Sequence, residues 1–144
     1  MDKSKYISKI NGHALVLGGS GGIGYEVVMA LVANGASAIS FSYDSNKEKA
    51  DDIVKALEAD GIRAFADKIN QSDEVSVKDF LDKSVKAMGE EISVAVNAIG
   101  ISPNKQLRVQ TLETPNNASR DDKGWREIYE VNVFGCFISS RAIA

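Results

Sequence analysis

Glycines dominate one short segment that could do chemistry. Residues 18–24 read GGSGGIG and lie between an apolar run and a segment with helical periodicity. A nucleotide pyrophosphate binds well at a helix N-terminus, where free backbone N–H groups and the positive end of the helix dipole point at it. A side chain larger than hydrogen would hold the backbone away from the phosphates. The segment therefore predicts a phosphate-binding turn, and a glycine-rich turn without a ligand is the alternative.

Two known spacings fit these glycines. Gly19, Gly21 and Gly24 match the pattern G-x-G-x-x-G. Gly18, Gly22 and Gly24 match the pattern G-x-x-x-G-x-G. The glycines alone do not decide between the two.

Other reactive side chains are scarce in this sequence. A single cysteine, Cys136, excludes an internal disulfide and a cysteine-based zinc cluster. A single histidine, His13, argues against a histidine-based metal site and a serine-protease triad. We expect no metal site, and we expect His13 to be a surface or edge residue and Cys136 to lie in the core or in an interface.

Composition and charge limit the class of protein. The chain has 144 residues, 44% of them hydrophobic and 26% charged, which is typical of one globular domain. With 17 Lys and Arg against 20 Asp and Glu, the net charge of -3 argues against binding to nucleic acid or to anionic membranes. No apolar run approaches the roughly 20 residues that span a bilayer, and the polar N-terminus lacks a signal-peptide core. These features predict a cytoplasmic protein.

Strand and helix signals alternate along the chain. The predicted strands are His13–Leu17, Ala38–Tyr43, residues 62–66 and residues 92–96; the predicted helices are residues 23–34, a segment capped by Asn46, a segment capped by Ser72, and residues 125–144. Apolar strands separated by helices indicate an α/β fold, with a parallel sheet covered by helices on both faces. Right-handed crossovers then predict a doubly wound sheet of order 3-2-1-4. The polar stretch at 114–124 predicts a surface loop.

Four segments in this order resemble the short-chain dehydrogenase/reductase family. Residues 13–24 resemble the family's cofactor turn in the second glycine spacing, and residues 97–100 (NAIG) resemble its Asn-Asn-Ala-Gly motif. Trp125 followed by VNV at 131–133 resembles the family's W…VNV helix. Residues 43–50 (YDSNKEKA) resemble the segment after the second strand in 3-oxoacyl-acyl-carrier-protein reductases. Ala98 and Ile99 depart from the motif, and the loop at 114–124 looks like an insertion.

The resemblance implies a Rossmann-type domain in an NADP(H)-dependent oxidoreductase. Its substrate would be a small-molecule or carrier-bound carbonyl compound, as in fatty acid biosynthesis. The residues that match the family's cofactor site are Gly18, Ser20, Gly22, Ile23, Gly24, Tyr43, Lys47, Asn70, Asn97 and Gly100. Asn132 matches the asparagine of the family's active site.

The choice of cofactor depends on the end of the second strand. In NAD-preferring members of the family, an aspartate at the end of the second strand accepts a hydrogen bond from the ribose 2′-hydroxyl. The same aspartate would repel a 2′-phosphate. Tyr43 occupies the matching position and Lys47 follows closely, so NADP(H) is favoured. NAD(H) stays open because Asp44 is one residue further on, and Lys47 could instead be a solvated residue at a helix start. Asn70 falls where the family has an adenine-binding aspartate, and its amide oxygen can accept the same bond.

The rest of the family's catalytic set has no match here. The family uses a Ser on the next strand and a Tyr-x-x-x-Lys pair on the next helix, and the cation makes the tyrosine a usable acid-base group. Tyr43 and Lys47 have this spacing, but they lie at the adenosine end, so we reject them as that pair. We therefore expect residues 1–144 to be an incomplete domain, truncated before the fifth strand and inactive alone. A non-catalytic nucleotide-binding module and an inactive remnant are the alternatives.

Two apolar surfaces predict association. The strand at 92–96 would be a sheet edge, and edges of this kind pair with other chains. The helix at 125–144 carries apolar residues on more than one face, which indicates burial on several sides. We expect a homo-oligomer at full length and self-association of the isolated chain.

Overall fold

The computed structural model describes residues 10–103, 106–118 and 122–144. Its strands are β1 (His13–Leu17), β2 (Ala38–Tyr43), β3 (Arg63–Lys68) and β4 (Ile92–Asn97). Its helices are α1 (Gly22–Ala33), α2 (Lys47–Ala59), α3 (Glu74–Met88), a 3-10 helix (Leu107–Val109), α4 (Trp125–Tyr129), a π-helical turn (Glu130–Gly135) and α5 (Cys136–Ile143). The last three follow one another without a break.

The sheet has the predicted topology. Within the described residues, four parallel strands are arranged in the order β3-β2-β1-β4. The central strands β1 and β2 are buried along their whole length. This confirms the doubly wound α/β architecture that the apolar strands and intervening helices predict.

The core has two layers, one on each face of the sheet, because successive strand side chains point to opposite faces. Ala14 and Val16 of β1 pack with β2, α1 and α2 on one face. Leu15 and Leu17 pack with α3 on the other face, where Ile138 and Ile143 of α5 also lie. The layers fix the carboxyl ends of the strands along one edge of the sheet.

Several element boundaries differ from those that the sequence predicts, by one residue in α1 and β4 and by more elsewhere. β3 runs from Arg63 to Lys68 rather than over 62–66. α3 is capped by Asp73, whose carboxylate accepts a hydrogen bond of 3.0 Å from the Val75 amide, so the prediction of a Ser72 cap is wrong. The Ser72 hydroxyl donates instead to the Glu130 carbonyl, at 3.1 Å.

His13 is not the surface or edge residue that its position at the start of a strand predicts. Its side chain is fully buried. Nδ1 donates to the Glu90 carbonyl at 3.2 Å, and Nε2 then accepts from the Ser40 hydroxyl at 2.8 Å. Burial lowers the pKa of this imidazole, because the charged form would lose its hydration. The two bonds satisfy a neutral ring, which is why the core tolerates it.

Cys136 differs from its prediction in part. The thiol is exposed rather than part of the core.

No helix of the described ranges has the length and apolar character to cross a membrane.

Candidate cofactor site

The predicted site residues follow the carboxyl ends of all four strands. The glycine turn at 18–24 follows β1, and Tyr43 ends β2. Asn70 comes soon after β3, and Asn97 ends β4. In open α/β sheets, ligands bind in the crevice outside these strand ends. The fold therefore places the predicted residues along one edge.

The glycine turn packs tightly against the segment that follows β4. Gly18 has a φ of +80°, and a Cβ there would lie 3.0 Å from Ile99 Cγ1. Its amide donates to the Ser42 hydroxyl at 2.9 Å. A Cβ on Gly24 would lie 2.1 Å from the Gly18 carbonyl oxygen, closer than atoms can approach. Gly18 and Gly24 are thus required by the chain's own packing.

Gly22 is different, because among the described residues no atom outside its own helix and chain neighbours lies within 4 Å of where its Cβ would be. It is the first residue of α1, and none of the described side chains caps that helix N-terminus. The first turn also carries no acidic residue that would repel an anion. Ile23 beside it is 79% exposed, and Ser20 is half-buried. The structure thus leaves open space where backbone N–H groups and the helix dipole favour a phosphate.

The end of β2 presents one buried and two exposed polar groups. Tyr43 is buried, whereas Asp44 and Lys47 are exposed. The Lys47 ammonium contacts both carboxylate oxygens of Asp51, at 2.8 and 2.7 Å. That bond raises the pKa of Lys47. Because an exposed pair of this kind is weak, Lys47 can exchange Asp51 for another anion.

Asn70 lies in a tight turn between β3 and α3. Its side-chain oxygen accepts from the Ser72 amide at 3.1 Å, and its own amide donates to the Ser76 hydroxyl at 3.0 Å. A carbonyl oxygen has two lone pairs, so Asn70 Oδ1 can accept one more hydrogen bond. Its exposed side chain can therefore meet an adenine amino group.

Asn97 organises the turn after β4. Its side-chain oxygen accepts from the Ile99 amide at 2.9 Å. Its Nδ2 donates to Gln71 Oε1 at 3.1 Å, and the following Ala98 amide donates to the Leu17 carbonyl at 2.9 Å. Asn97 therefore supports the backbone that packs on the glycine turn.

Asn132 lies in the π-helical turn and contacts the same segment. Its Oδ1 accepts from the Ile101 amide at 2.9 Å, and its Nδ2 donates to the Ile101 carbonyl at 2.7 Å. A Cβ on Gly100 would lie 3.8 Å from Asn132 Oδ1. π-helical turns occur frequently at functional sites, and this one carries the predicted asparagine.

Part of the predicted loop 114–124, residues 119–121, lies outside the described residues, and the described parts on either side of it contact α4. Thr114 Oγ1 accepts from the Gly124 amide at 2.9 Å and donates to a Glu127 carboxylate oxygen at 2.6 Å. Lys123 contacts the same carboxylate at 2.6 Å and lowers the pKa of Glu127. The Trp125 amide donates to the Thr111 carbonyl at 3.0 Å. The start of α4 is thus fixed beside the site.

The structure brings together three of the predicted parts: the glycine turn, the segment 97–100 and Asn132. Gly18 of the glycine turn packs against Ala98 and Ile99 of segment 97–100. Gly100 of that segment lies near Asn132. Lys47 contacts Asp51 rather than any of these parts. Sequence reasoning missed Ser42 and Gln71, whose polar side chains near strand ends gave only a weak signal.

A family model described as short chain dehydrogenase matches residues 12–144. A 3-oxoacyl-[acyl-carrier-protein] reductase from Staphylococcus aureus is 30% identical over 130 residues, which cover 90% of this chain and 48% of the relative. The chain spans about half the length of the curated relatives that it matches.

Two solved structures are also similar to this chain in sequence and fold. A blue fluorescent protein from a metagenomic library, in complex with NADPH, is 32% identical, with a TM-score of 0.77 over 94% of this chain and 51% of that one. A short chain dehydrogenase from Burkholderia cenocepacia, in complex with NADP, is 31% identical, also with a TM-score of 0.77 over 94% and 51%.

Proposed function

Because the chain belongs to the short-chain dehydrogenase family, we propose that it binds NADP(H) and supplies the nucleotide-binding part of an oxidoreductase that reduces a carbonyl group. One observation carries the proposal: within the part of the chain that the structure describes, the space beside Gly22 is empty and no side chain caps the helix N-terminus there. A glycine that the chain's own packing does not require is explained by a ligand that needs the backbone close.

The glycine turn would hold the pyrophosphate. The backbone N–H groups at the start of α1 donate to phosphate oxygens, and the Ser20 hydroxyl adds a donor. Ile23 lies exposed beside these groups, where it can exclude water from one side of the ligand. Gly18 and Gly24 contribute indirectly, since they let the turn fold.

The adenosine end would lie over the ends of β2 and β3. Tyr43 puts a neutral side chain where a carboxylate would repel a 2′-phosphate, and Lys47 supplies a cation. Asn70 accepts from the adenine amino group. NADP(H) in the two solved relatives supports this choice over NAD(H).

Asn97, Gly100 and Asn132 would border the other end of the cofactor. Asn97 fixes the turn after β4 through the Ile99 amide, Gly100 lies beside Asn132, and Asn132 fixes the next residues through Ile101. NADPH, when bound, supplies the hydride for carbonyl reduction. A 3-oxoacyl group on a carrier protein is the substrate class that the Staphylococcus aureus relative supports.

We also propose how the chain is organised as a domain and how it associates. Residues 1–144 would form one nucleotide-binding domain whose β4 edge and α4–α5 surface associate with further copies of the chain. Fluorescence titration of the purified chain with NADPH and with NADH tests the central claim. Saturable binding that favours NADPH supports the proposal, and no binding of either nucleotide contradicts it.

A further inference from the structure

Gln71 is a buried side chain that uses both ends of its amide within the candidate site. Only 3% of the residue is exposed. Nε2 donates to the Val131 carbonyl at 2.8 Å, and Oε1 accepts from Asn97 Nδ2 at 3.1 Å. One side chain thus connects the end of β4 with the π-helical turn. Neither connection is local in sequence.

Packing holds Gln71 in this position. A Cβ on Gly135 would lie 2.7 Å from Gln71 Cγ and 3.2 Å from Cδ. The Gln71 side chain therefore packs directly on Gly135, the last residue of the π-helical turn, where a larger residue would displace it. Ser72 adds a second contact from the same loop, through its bond of 3.1 Å to the Glu130 carbonyl.

The π-helical turn needs such donors. In a π-helical turn an amide donates to the carbonyl five residues back, rather than four residues back as in an α-helix. Where the two patterns meet, a carbonyl group therefore loses its usual donor, the amide four residues further along the chain. Gln71 and Ser72 donate to the Val131 and Glu130 carbonyls, which directly precede Asn132. Without the Gln71 donor, the half-buried Val131 carbonyl would favour a regular α-helix, and that would rotate Asn132 away from Ile101.

We infer that Gln71 is a positioning residue, which fixes the π-helical turn and thereby keeps Asn132 bonded to Ile101. The inference rests on the proposed function in one respect, that Asn132 serves the oxidoreductase site. Gln71 touches neither substrate nor cofactor in this account. It acts through Asn97 on one side and through the Val131 carbonyl on the other.

Amide hydrogen exchange, followed by NMR on the chain without nucleotide, tests this inference. Gln71→Met keeps the length and apolar stem of the side chain and removes both hydrogen bonds. We expect the Ile101 amide to exchange at least about tenfold faster, while amides of β1 and β2 change less than about twofold. The side-chain NH₂ signals of Asn132 should move toward the positions of a free amide.

Two further variants show whether Gln71 acts through Asn132. Asn132→Ala should produce the same acceleration at Ile101, and the double variant should add nothing to it. Val75→Ser, at an exposed position four residues after Gln71, is the control and should leave exchange at Ile101 within about twofold of the wild type. Additive effects of Gln71→Met and Asn132→Ala at Ile101 would overturn the inference.

A general loss of stability would look different. An unchanged Ile101 amide in Gln71→Met contradicts the inference. If Gln71→Met speeds exchange evenly along the chain, Gln71→Glu decides, since it keeps an acceptor for Asn97 and puts a carboxylate oxygen in place of the donor to the Val131 carbonyl. Selective acceleration at Ile101 then supports the inference, and even acceleration contradicts it. Because this assay uses no NADP(H), a failure to bind nucleotide would contradict the proposed function alone.

Discussion

The carboxamide of Asn132 and the main chain of Ile101 are joined by two hydrogen bonds, one in each direction. The pair attaches the segment after β4 to the helical stretch that begins at Trp125. Its two distances, 2.9 and 2.7 Å, are those of well-formed hydrogen bonds. The predicted active-site asparagine therefore also has a structural role.

Replacement of Asn132 by alanine should reduce stability. Two hydrogen bonds are lost at an exposed side chain, so we expect the free energy of unfolding to fall by about 1 kcal/mol. Urea denaturation followed by circular dichroism measures the change. Ser140→Ala, at an exposed position of α5, is the control and should stay within about 0.5 kcal/mol of the wild type. Equal stability of the two variants would contradict the role of this pair.

Lys47 should determine the preference for NADPH. Lys47→Ala removes the cation that we place near the 2′-phosphate, so NADPH affinity should fall roughly five- to tenfold while NADH affinity stays the same. Nucleotide titrations measure both. Lys55→Ala, which removes an exposed cation from the same helix, should change neither affinity. An equal loss for both nucleotides would argue against contact with the 2′-phosphate.

His13 should make stability depend on pH. Its pKa is lowered in the folded chain, so below the ordinary value of 6.5 the unfolded chain binds the proton more readily. The stability that neutral His13 contributes to the folded chain is therefore fully present above pH 6.5. It is lost as the pH falls, with a limiting slope of about 1.4 kcal/mol per pH unit. Unfolding free energies at pH 7.5 and pH 5.5 should therefore differ more in the wild type than in His13→Gln. Equal differences would show that His13 does not titrate on unfolding.

The outer surface of the π-helical turn and α5 should mediate self-association. Val133, Phe134 and Phe137 are 49%, 52% and 60% exposed, and together they form an apolar surface. Sedimentation of the isolated chain should show species larger than a monomer at rising concentration, and Phe134→Ser with Phe137→Ser should reduce them. Val75→Ser removes an exposed apolar side chain of α3 and should not. A clean monomer at every concentration would contradict this prediction.

The strand order could be predicted from the sequence because its signals are local. Apolar runs such as His13–Leu17, glycine punctuation and helical periodicity are each visible within a few residues, and the handedness of crossovers limits the topology. The structure confirms the order, and it also places the glycine turn against segment 97–100. The roles of individual site residues stay predictions until nucleotide binding is measured.

The errors concern polar residues whose partners are distant in sequence. His13 is buried because Ser40 and the Glu90 carbonyl satisfy both ring nitrogens, and neither partner is near it in the chain. Gln71 bonds Asn97 and the Val131 carbonyl across the fold. The π-helical turn depends on such tertiary donors, so helical periodicity predicted only a continuous helix.

The most direct test of the account is a titration of the wild-type chain and of Gly22→Ala with NADPH and NADH. The space beside Gly22 is open, so alanine should leave the thermal midpoint almost unchanged and yet occupy the place of the phosphate. We expect saturable binding that favours NADPH in the wild type and an affinity at least about tenfold lower in Gly22→Ala. Equal nucleotide binding by both proteins, or none by a folded wild-type chain, would contradict it.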